Sequence, residues 1–179
     1  LRFRGRNVIF LLLISTMMIP GYVTLIPNFA IMVKLKLLNS HWALILRSAL
    51  SGSATSIFLF RQFFLSIPRD LENAAIVDGC SWPGVFFRII MPNSKPAIAT
   101  VIILSFRSTW NSFLWPQLVL QTDRLWTWTL ALKILSESET NQAVLLAGSV
   151  ISILPILIIY LACQKYFVNS QVSAGFGGT

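Results

Sequence analysis

Residues 66–100 read SIPRDLENAAIVDGCSWPGVFFRIIMPNSKPAIAT, and this polar, punctuated segment lies between long apolar runs. Pro68 precedes a short helical pattern whose first turn contains Asp70 and Glu72. Carboxylates in that position favour a helix start, because they face the positive end of the helix dipole. The segment therefore predicts a helix that begins just after Pro68.

The same segment also predicts a turn and a second helix. Asp78-Gly79 is typical of a helix end, because glycine readily adopts the left-handed conformation that follows the last helical turn. A second short helix is expected from about Pro83 to Ile90, stopped by Pro92. Neither helix is long enough to cross a bilayer, so the segment predicts a helix-turn-helix hairpin outside the hydrocarbon.

The rest of the chain has the composition of an integral membrane protein. Of its 179 residues, 55% are hydrophobic and only 11% are charged, and the mean hydropathy is +0.73. A soluble domain of this length needs more charge to cover its surface. The formal net charge is +8, but the basic residues stand singly or in small groups at the ends of apolar runs. That distribution excludes a nucleic-acid partner.

Four apolar runs are long enough to cross a lipid bilayer as helices. The predicted architecture is an all-α integral membrane protein, one transmembrane domain over residues 1–179, with the hairpin (about 66–95) between its second and third spans. The predicted spans are about 8–33, 42–60, 97–120 and 143–163. If the N-terminus is cytoplasmic, basic flanking residues favour the inside two to one, which places the hairpin in the cytoplasm.

No catalytic or metal chemistry is predicted. His41 is the only histidine, and Cys80 and Cys163 belong to no metal-binding motif. The chain contains no G-x-x-x-x-G-K phosphate loop. We therefore expect neither an enzyme nor a cofactor.

Several residues inside the spans have two interpretations. Pro20-Gly21 and Pro27 predict either a kink or a broken helix that lines a pathway. Arg47 lies near the outer end of its span and is expected to snorkel to the interface. Arg107 lies deeper, where an inward-facing, water-exposed or paired position is expected.

The first hairpin helix places Leu71, Ala74, Ala75 and Asp78 on a single face. Small alanines there would permit close approach by another body. The hairpin is therefore either a docking element for a soluble partner or an amphipathic loop resting on lipid headgroups.

The run ENAAIVDGCSWPGVFFRIIMPNSKPAI resembles the cytoplasmic coupling-loop signature of binding-protein-dependent ABC transporter permeases. Segments such as MMIPGYVTLIP, FLFRQFFLSIP, WNSFLWP and AGSVISILPILIIYL resemble the maltose-type, carbohydrate-transporting subfamily. The resemblance covers essentially the whole chain. One departure is Asn73, which stands where the signature has glutamate, with Glu72 one residue earlier.

The resemblance implies the C-terminal four spans of a six-span permease, in a sequence that begins part-way through a longer protein. It implies a multi-pass subunit of a bacterial or archaeal plasma (inner) membrane, with three kinds of partner: cytoplasmic ATPase subunits, a second permease subunit and an extracytoplasmic solute-binding protein. The implied solute is a sugar or a related polar molecule. The residues implied to couple to the ATPase are Glu72, Asn73, Ala74, Ala75, Asp78, Gly79 and Pro92.

A translocation path is expected to involve Pro20, Gly21, Arg107, Trp110 and Asn111. Trp110, Asn111 and Trp115 would stack on sugar rings or hydrogen-bond to them, although core packing or interfacial anchoring explains these three residues equally well. Two other functions remain open: an inactive or truncated permease remnant, and an ATPase-independent transporter or scaffold. The ATPase-independent transporter predicts acidic or histidine residues within spans, and the predicted spans contain none.

Overall fold

The computed structural model describes residues 4–138 and 141–175. Helices account for nearly all regular structure in these residues, and no strand occurs among them, so the predicted all-helical class is confirmed there. The α-helices are α1 (Arg6–Ser15), α2 (Leu25–Lys34), α3 (Trp42–Ser51), α4 (Ala54–Ser66), α5 (Arg69–Val77), α6 (Trp82–Val85), α7 (Met91–Asn93), α8 (Lys95–Trp110), α9 (Leu114–Val119), α10 (Trp128–Glu137) and α11 (Gln142–Gly175). Thr16–Met18 and Asp123–Leu125 form 3₁₀ turns, and Phe86–Ile90 forms a π turn.

Within residues 4–138 and 141–175, one helix is long and apolar enough to cross a membrane by itself. It covers Gln142–Tyr166 within α11, and its 25 residues exceed the roughly 20 needed for a bilayer core. Two further candidates exist if each of two broken helix pairs is counted as one span, α3 with α4 and the Trp82–Asn93 helix with α8. The four-span count stays a prediction.

The run predicted as the first span, residues 8–33, contains two short helices rather than one. Helix α1 and its 3₁₀ turn end at Met18, and α2 begins at Leu25. Between them, the backbone N–H of Val23 donates to the carbonyl of Pro20 in a separate turn (3.0 Å). The structure thus shows a break at Pro20-Gly21 in place of a kinked continuous helix, and a pathway along this break stays a prediction.

Two other predicted spans are also interrupted. Helix α3 ends before Gly52, whose φ is 53°, so the run 42–60 is divided between α3 and α4. In the run 97–120, α8 ends at Trp110 and α9 starts afresh at Leu114. Pro116 has no N–H to bond to the carbonyl four residues earlier, and its ring would clash there, which prevents one continuous helix.

The chain forms two compact units. The first comprises Leu1–Ala54 with Arg107–Pro155, and the second comprises Thr55–Phe106 with Ile156–Thr179. In the first unit, α9 packs on α2, α3 and α10. Its buried apolar cluster consists of Met32, Ala43, Trp115, Val119 and Leu120.

Asn39 joins two loops of the first unit. Its side-chain oxygen accepts hydrogen bonds from the backbone N–H groups of Gln121 and Thr122, both at 3.0 Å. Its side-chain nitrogen donates to the Thr122 hydroxyl (2.8 Å), and its backbone N–H donates to the carbonyl of Val119 (2.6 Å). Asn39 has a φ of 55°, a left-handed conformation that asparagine tolerates better than most residues. One residue thus fixes the loop after α2 to the loop after α9.

We expect Asn39→Ala to destabilise the first unit by about 1–3 kcal/mol, because two backbone N–H groups lose their acceptor. The measurement is the thermal unfolding of the purified protein in detergent. Asn28→Ala, the same change within α2 at a side chain with no hydrogen bond among the described residues, is the matched control. Equal melting temperatures for the two variants would contradict the role given to Asn39.

Candidate functional site

The hairpin, residues 68–94, begins where the sequence places it. Pro68 is extended, with ψ at 132°, and α5 follows directly with Asp70 and Glu72 in its first turn. The carboxylates of Asp70, Glu72 and Asp78 form no ion pair with any residue that the structure describes. Asp70 and Asp78 are exposed and Glu72 is half-buried, so these charges remain available to a partner.

The turn of the hairpin is a Schellman motif centred on Gly79. The N–H of Cys80 donates to the carbonyl of Ala75 (2.9 Å), and the N–H of Gly79 donates to the carbonyl of Ile76 (3.0 Å). Gly79 has a φ of 83°, which disfavours residues with a side chain. A Cβ at this position would have no atom within 4 Å, so the surface beyond Gly79 is open.

The two arms of the hairpin are held together by small buried side chains. Helix α5 packs on α6 and on the π turn that follows it. Ala75 is 6% exposed and Val85 is fully buried. These residues form the inner face of the hairpin.

The two alanines of the predicted docking face, Ala74 and Ala75, therefore have different roles. Ala75 faces inward and serves the packing of the hairpin, whereas Ala74 is exposed. Asn73, Asp78 and Gly79 are exposed as well. The accessible face of α5 is narrower than the sequence pattern suggests.

The second arm of the hairpin extends beyond the point where the sequence predicts its end. Helix α6 starts at Trp82, the π turn covers Phe86–Ile90, and α7 continues through Pro92 to Asn93. Pro92 has no N–H for the carbonyl four residues earlier, and the wider π turn accommodates it without ending the helix. In that turn the N–H of Met91 donates to the carbonyl of Phe86, five residues earlier.

The hairpin joins α8 through a bend at Ser94. The angle between the Trp82–Asn93 helix and α8 is 69°. Ser94 is fully buried, and its hydroxyl donates to the carbonyl of Ile90 (2.6 Å). The side-chain amide of Asn93 donates to the carbonyl of Ile89 (2.7 Å). At the bend, side-chain donors of Asn93 and Ser94 thus give hydrogen bonds to backbone carbonyls.

Apolar side chains lie on the outside of the hairpin beside its carboxylates. Val77 is 86% exposed, Trp82 is 56% exposed and Phe87 is 66% exposed. Exposed apolar groups of this kind are typical of a surface that contacts another protein or lies on a membrane, the two alternatives that the sequence leaves open.

The predicted path residues lie in the first unit but do not form one group. Pro20 and Gly21 are exposed in the break between α1 and α2. Arg107 is exposed in the last turn of α8 and forms no ion pair within the described part of the chain. Asn111 is exposed just beyond that helix end, and its backbone N–H donates to the carbonyl of Arg107 (3.0 Å).

Trp110 takes part in packing. It is half-buried, and its indole N–H donates to the carbonyl of Ser152 (3.0 Å) in α11, one turn before Pro155. Its own carbonyl accepts a hydrogen bond from the Thr129 hydroxyl. These contacts favour the core-packing interpretation of Trp110 over a sugar-stacking one.

Gly21 lines a cavity of about 180 Å³ in the first unit. The other lining residues are Tyr22, Leu25, Arg47, Ser112, Leu114 and Trp115. Sequence reasoning did not single out Arg47 for a site, although an arginine within an apolar run was the available signal. Its guanidinium carbon lies 4.4 Å from the centroid of the Trp115 ring.

Comparisons with known proteins agree on one family. Residues 1–170 match the family described as "Binding-protein-dependent transport system inner membrane component". The chain is 42% identical to the arabinooligosaccharides transport system permease protein AraQ of Bacillus subtilis, over 98% of this chain and 62% of that protein. It is 37% identical to the sn-glycerol-3-phosphate transport system permease protein UgpE of Salmonella typhi, over 97% of this chain and 62% of that protein.

A solved structure shows the same fold. It belongs to a bacterial ABC transporter involved in the import of the acidic polysaccharide alginate. The TM-score is 0.76 at 29% sequence identity, over 93% of this chain and 63% of that chain. The chain thus spans a little over three fifths of the length of the relatives that it matches.

We expect Pro92→Ala to change the angle between the hairpin and α8. Alanine restores an N–H for the carbonyl of Arg88, which favours a regular α-helix over the π turn. The measurement is the distance between spin labels on Cys80 and on an Ile102→Cys variant, in a Cys163→Ser background.

Pro96→Ala is the matched control, because Pro96 lies in the first turn of α8, where no N–H is needed. The distance between the two spin labels should shift by a few ångströms in the Pro92→Ala variant and stay unchanged in the Pro96→Ala variant. An identical distance distribution in both variants would show that Pro92 does not set the bend.

Proposed function

Because the chain belongs to the family of binding-protein-dependent transport system inner membrane components, we propose that it is a permease subunit of an ABC importer for sugars or related polar solutes. In this proposal the hairpin binds a cytoplasmic ATPase subunit and transmits its movement to the membrane helices. The observation that carries the proposal is the outer face of the hairpin, where free carboxylates, an exposed alanine and exposed apolar side chains lie together.

The geometry of α5 supports docking into a cleft. Ala74 and Asp78 lie one helical turn apart, both are exposed, and Gly79 follows with open space beyond it. A short helix with a small-residue face suits the helix-in-groove mode of recognition. Asp78 and the half-buried Glu72 supply the negative charge that Asn73 does not.

The bend at Ser94 supports the transmission of movement. The backbone N–H of Ile98 in α8 donates to the carbonyl of Ser94 (2.9 Å), so a hydrogen bond joins the hairpin to α8 in addition to the covalent chain. The side chains of Ser94 and Asn93 stabilise the last turn of the hairpin itself. A push on the hairpin is then passed to α8 as a rigid-body movement, which is how hinged domains exchange two openings. Pro92 acts here by shaping the connection, apart from the docking surface itself.

The substrate class is supported by the relatives. Their names refer to arabinooligosaccharides, sn-glycerol-3-phosphate and the acidic polysaccharide alginate. All three solutes are rich in hydroxyl groups. We infer a solute of that class, delivered by an extracytoplasmic binding protein to a path that a second permease subunit completes in the bacterial inner membrane.

The path through this subunit is proposed to run by the break at Pro20-Gly21 and the end of α8. A broken helix exposes backbone groups that hydrogen-bond a polar solute, and such breaks are typical of transport sites. Arg107 and Asn111, both exposed at the end of α8, provide further polar groups.

We expect Ala74→Leu to reduce ATPase association about tenfold or more, because a bulky side chain would block a small-residue contact at an interface. The measurement is the amount of ATPase subunit that co-purifies with the protein from co-expressing cells. Ala74→Ser, which keeps the side chain small, is the matched control and should retain the wild-type yield.

Ala75→Leu distinguishes docking from folding. Because Ala75 is buried, its enlargement should destabilise the hairpin itself and lower the level of protein in the membrane. Ala74→Leu should leave that level unchanged. Wild-type recovery of the ATPase with Ala74→Leu would contradict the docking assignment.

The proposed orientation makes a separate prediction. In a Cys163→Ser background, Cys80 should react with a membrane-impermeant thiol reagent only after the cells are permeabilised. A Gln121→Cys variant without native cysteines tests the loop after α9, which the orientation places outside and which should react on intact cells. Labelling of Cys80 on intact cells would overturn the proposed topology.

A further inference from the structure

Arg47 is held against an aromatic ring inside the first unit. Trp115 is 4% exposed, and its indole N–H donates to the carbonyl of Ala43 (3.3 Å), which fixes the ring in place. The Arg47 guanidinium lies over this ring at 4.4 Å, and its side chain is half-buried. A cation–π contact of this kind orients a guanidinium but does not neutralise its charge.

No carboxylate balances this charge among the residues that the structure describes. The five acidic residues in the described ranges make no ion pair with Arg47, and one of them, Glu137, is already paired with Lys133 at 2.9 Å. The remaining acidic residue, Glu139, lies outside the described ranges. A partly dehydrated cation without a counter-ion is costly, so cations in such positions usually meet an anion.

Two residues with hydroxyl groups are among those that line the cavity beside Arg47, and one of them, Tyr22, is 76% exposed. Tyr22 and Ser112 line it, and neither hydroxyl has a hydrogen-bond partner among the described residues. The guanidinium lies over the Trp115 ring, and its N–H groups suit a carboxylate or phosphate, which accepts two parallel hydrogen bonds. Leu25, Leu114 and the Trp115 ring give the cavity apolar walls.

We propose that this cavity is a binding site for an oxyanion, a carboxylate or phosphate group carried by a larger molecule. Arg47 supplies the charge and the paired donors, Tyr22 and Ser112 supply hydroxyl donors, and Trp115 orients the guanidinium. The group belongs either to an anionic sugar derivative or to the headgroup of an anionic lipid.

The residues that form this site all lie outside the hairpin, so binding of an oxyanion here requires neither the hairpin nor ATP. Only the sugar alternative rests on the proposed transport function. Binding measured without ATP therefore separates a failure of this inference from a failure of the coupling proposal.

The first arm of the test uses the transporter, purified with its partner subunits, in nanodiscs of phosphatidylcholine. Equilibrium binding of radiolabelled glucuronate is compared with that of glucose, which has the same ring without the carboxylate. Glucuronate should bind about tenfold or more tightly than glucose, and Arg47→Gln should remove that difference. Arg47→Lys, which keeps the charge but loses the fork of donors, should give an intermediate affinity.

The second arm uses nanodiscs that contain equal amounts of phosphatidylglycerol and phosphatidylcholine. If the oxyanion comes from lipid, phosphatidylglycerol should remain bound to the wild type after extraction and should be lost from Arg47→Gln, with no preference for glucuronate. Preference for glucuronate without retained phosphatidylglycerol identifies the solute as the source.

Arg124→Gln is the matched control, because Arg124 is an exposed arginine of the same unit that does not line the cavity. It should behave as the wild type in both arms. The melting temperature of each variant tests folding, and Arg47→Lys replaces Arg47→Gln as the test variant if the latter unfolds. Equal binding of every probe to the wild type and the Arg47 variant would overturn the proposal and leave Arg47 as a packing residue.

Discussion

The structure depends on one constraint: backbone groups that lose their helical partner in apolar surroundings must find another. Prolines remove N–H donors at several points along the helices, and each loss costs a hydrogen bond unless something replaces it. At the hairpin, the side chains of Asn93 and Ser94 bond to the carbonyls of Ile89 and Ile90. In α11, the indole of Trp110 bonds to the carbonyl of Ser152 near Pro155. The bonded carbonyls lie within two residues of those of Arg88 and Ile151, which lose their helical partners to Pro92 and Pro155.

The same constraint explains why the hairpin keeps a defined shape outside the long helices. Its turn is closed by the Schellman hydrogen bonds around Gly79, and its arms pack through Ala75 and Val85. Such a small element has little apolar core, so its shape depends on backbone hydrogen bonds more than on burial. The outer face, which includes Ala74, is then free of any internal packing role.

Local features of the fold could be predicted from the sequence, because they depend on neighbouring residues. The helical class follows from the long apolar runs, and it is found in the described residues. The start of α5 after Pro68 and the cap at Gly79 follow from helix-end chemistry and are also found. The break after Trp110 and the π turn before Pro92 were missed, because a proline alone does not reveal whether a helix ends or widens around it. The cavity around Arg47 was missed because Trp115 reaches it through a distant segment of the chain. The difference between the buried Ala75 and the exposed Ala74 likewise depends on the packing of α6 against α5, which the sequence pattern does not give.

The π turn has a consequence for the lengths that this segment can have. A π turn corresponds to an α-helix that holds one additional residue. Removal of one residue from Phe86–Ile90 would restore the regular α-helical repeat and leave the residues after it at nearly the same position around the helix axis. Ser94 would keep its buried position, and α8 would present the same side to its surroundings. The same deletion within the regular part of α8 would instead rotate all residues after it by about 100° around the helix axis.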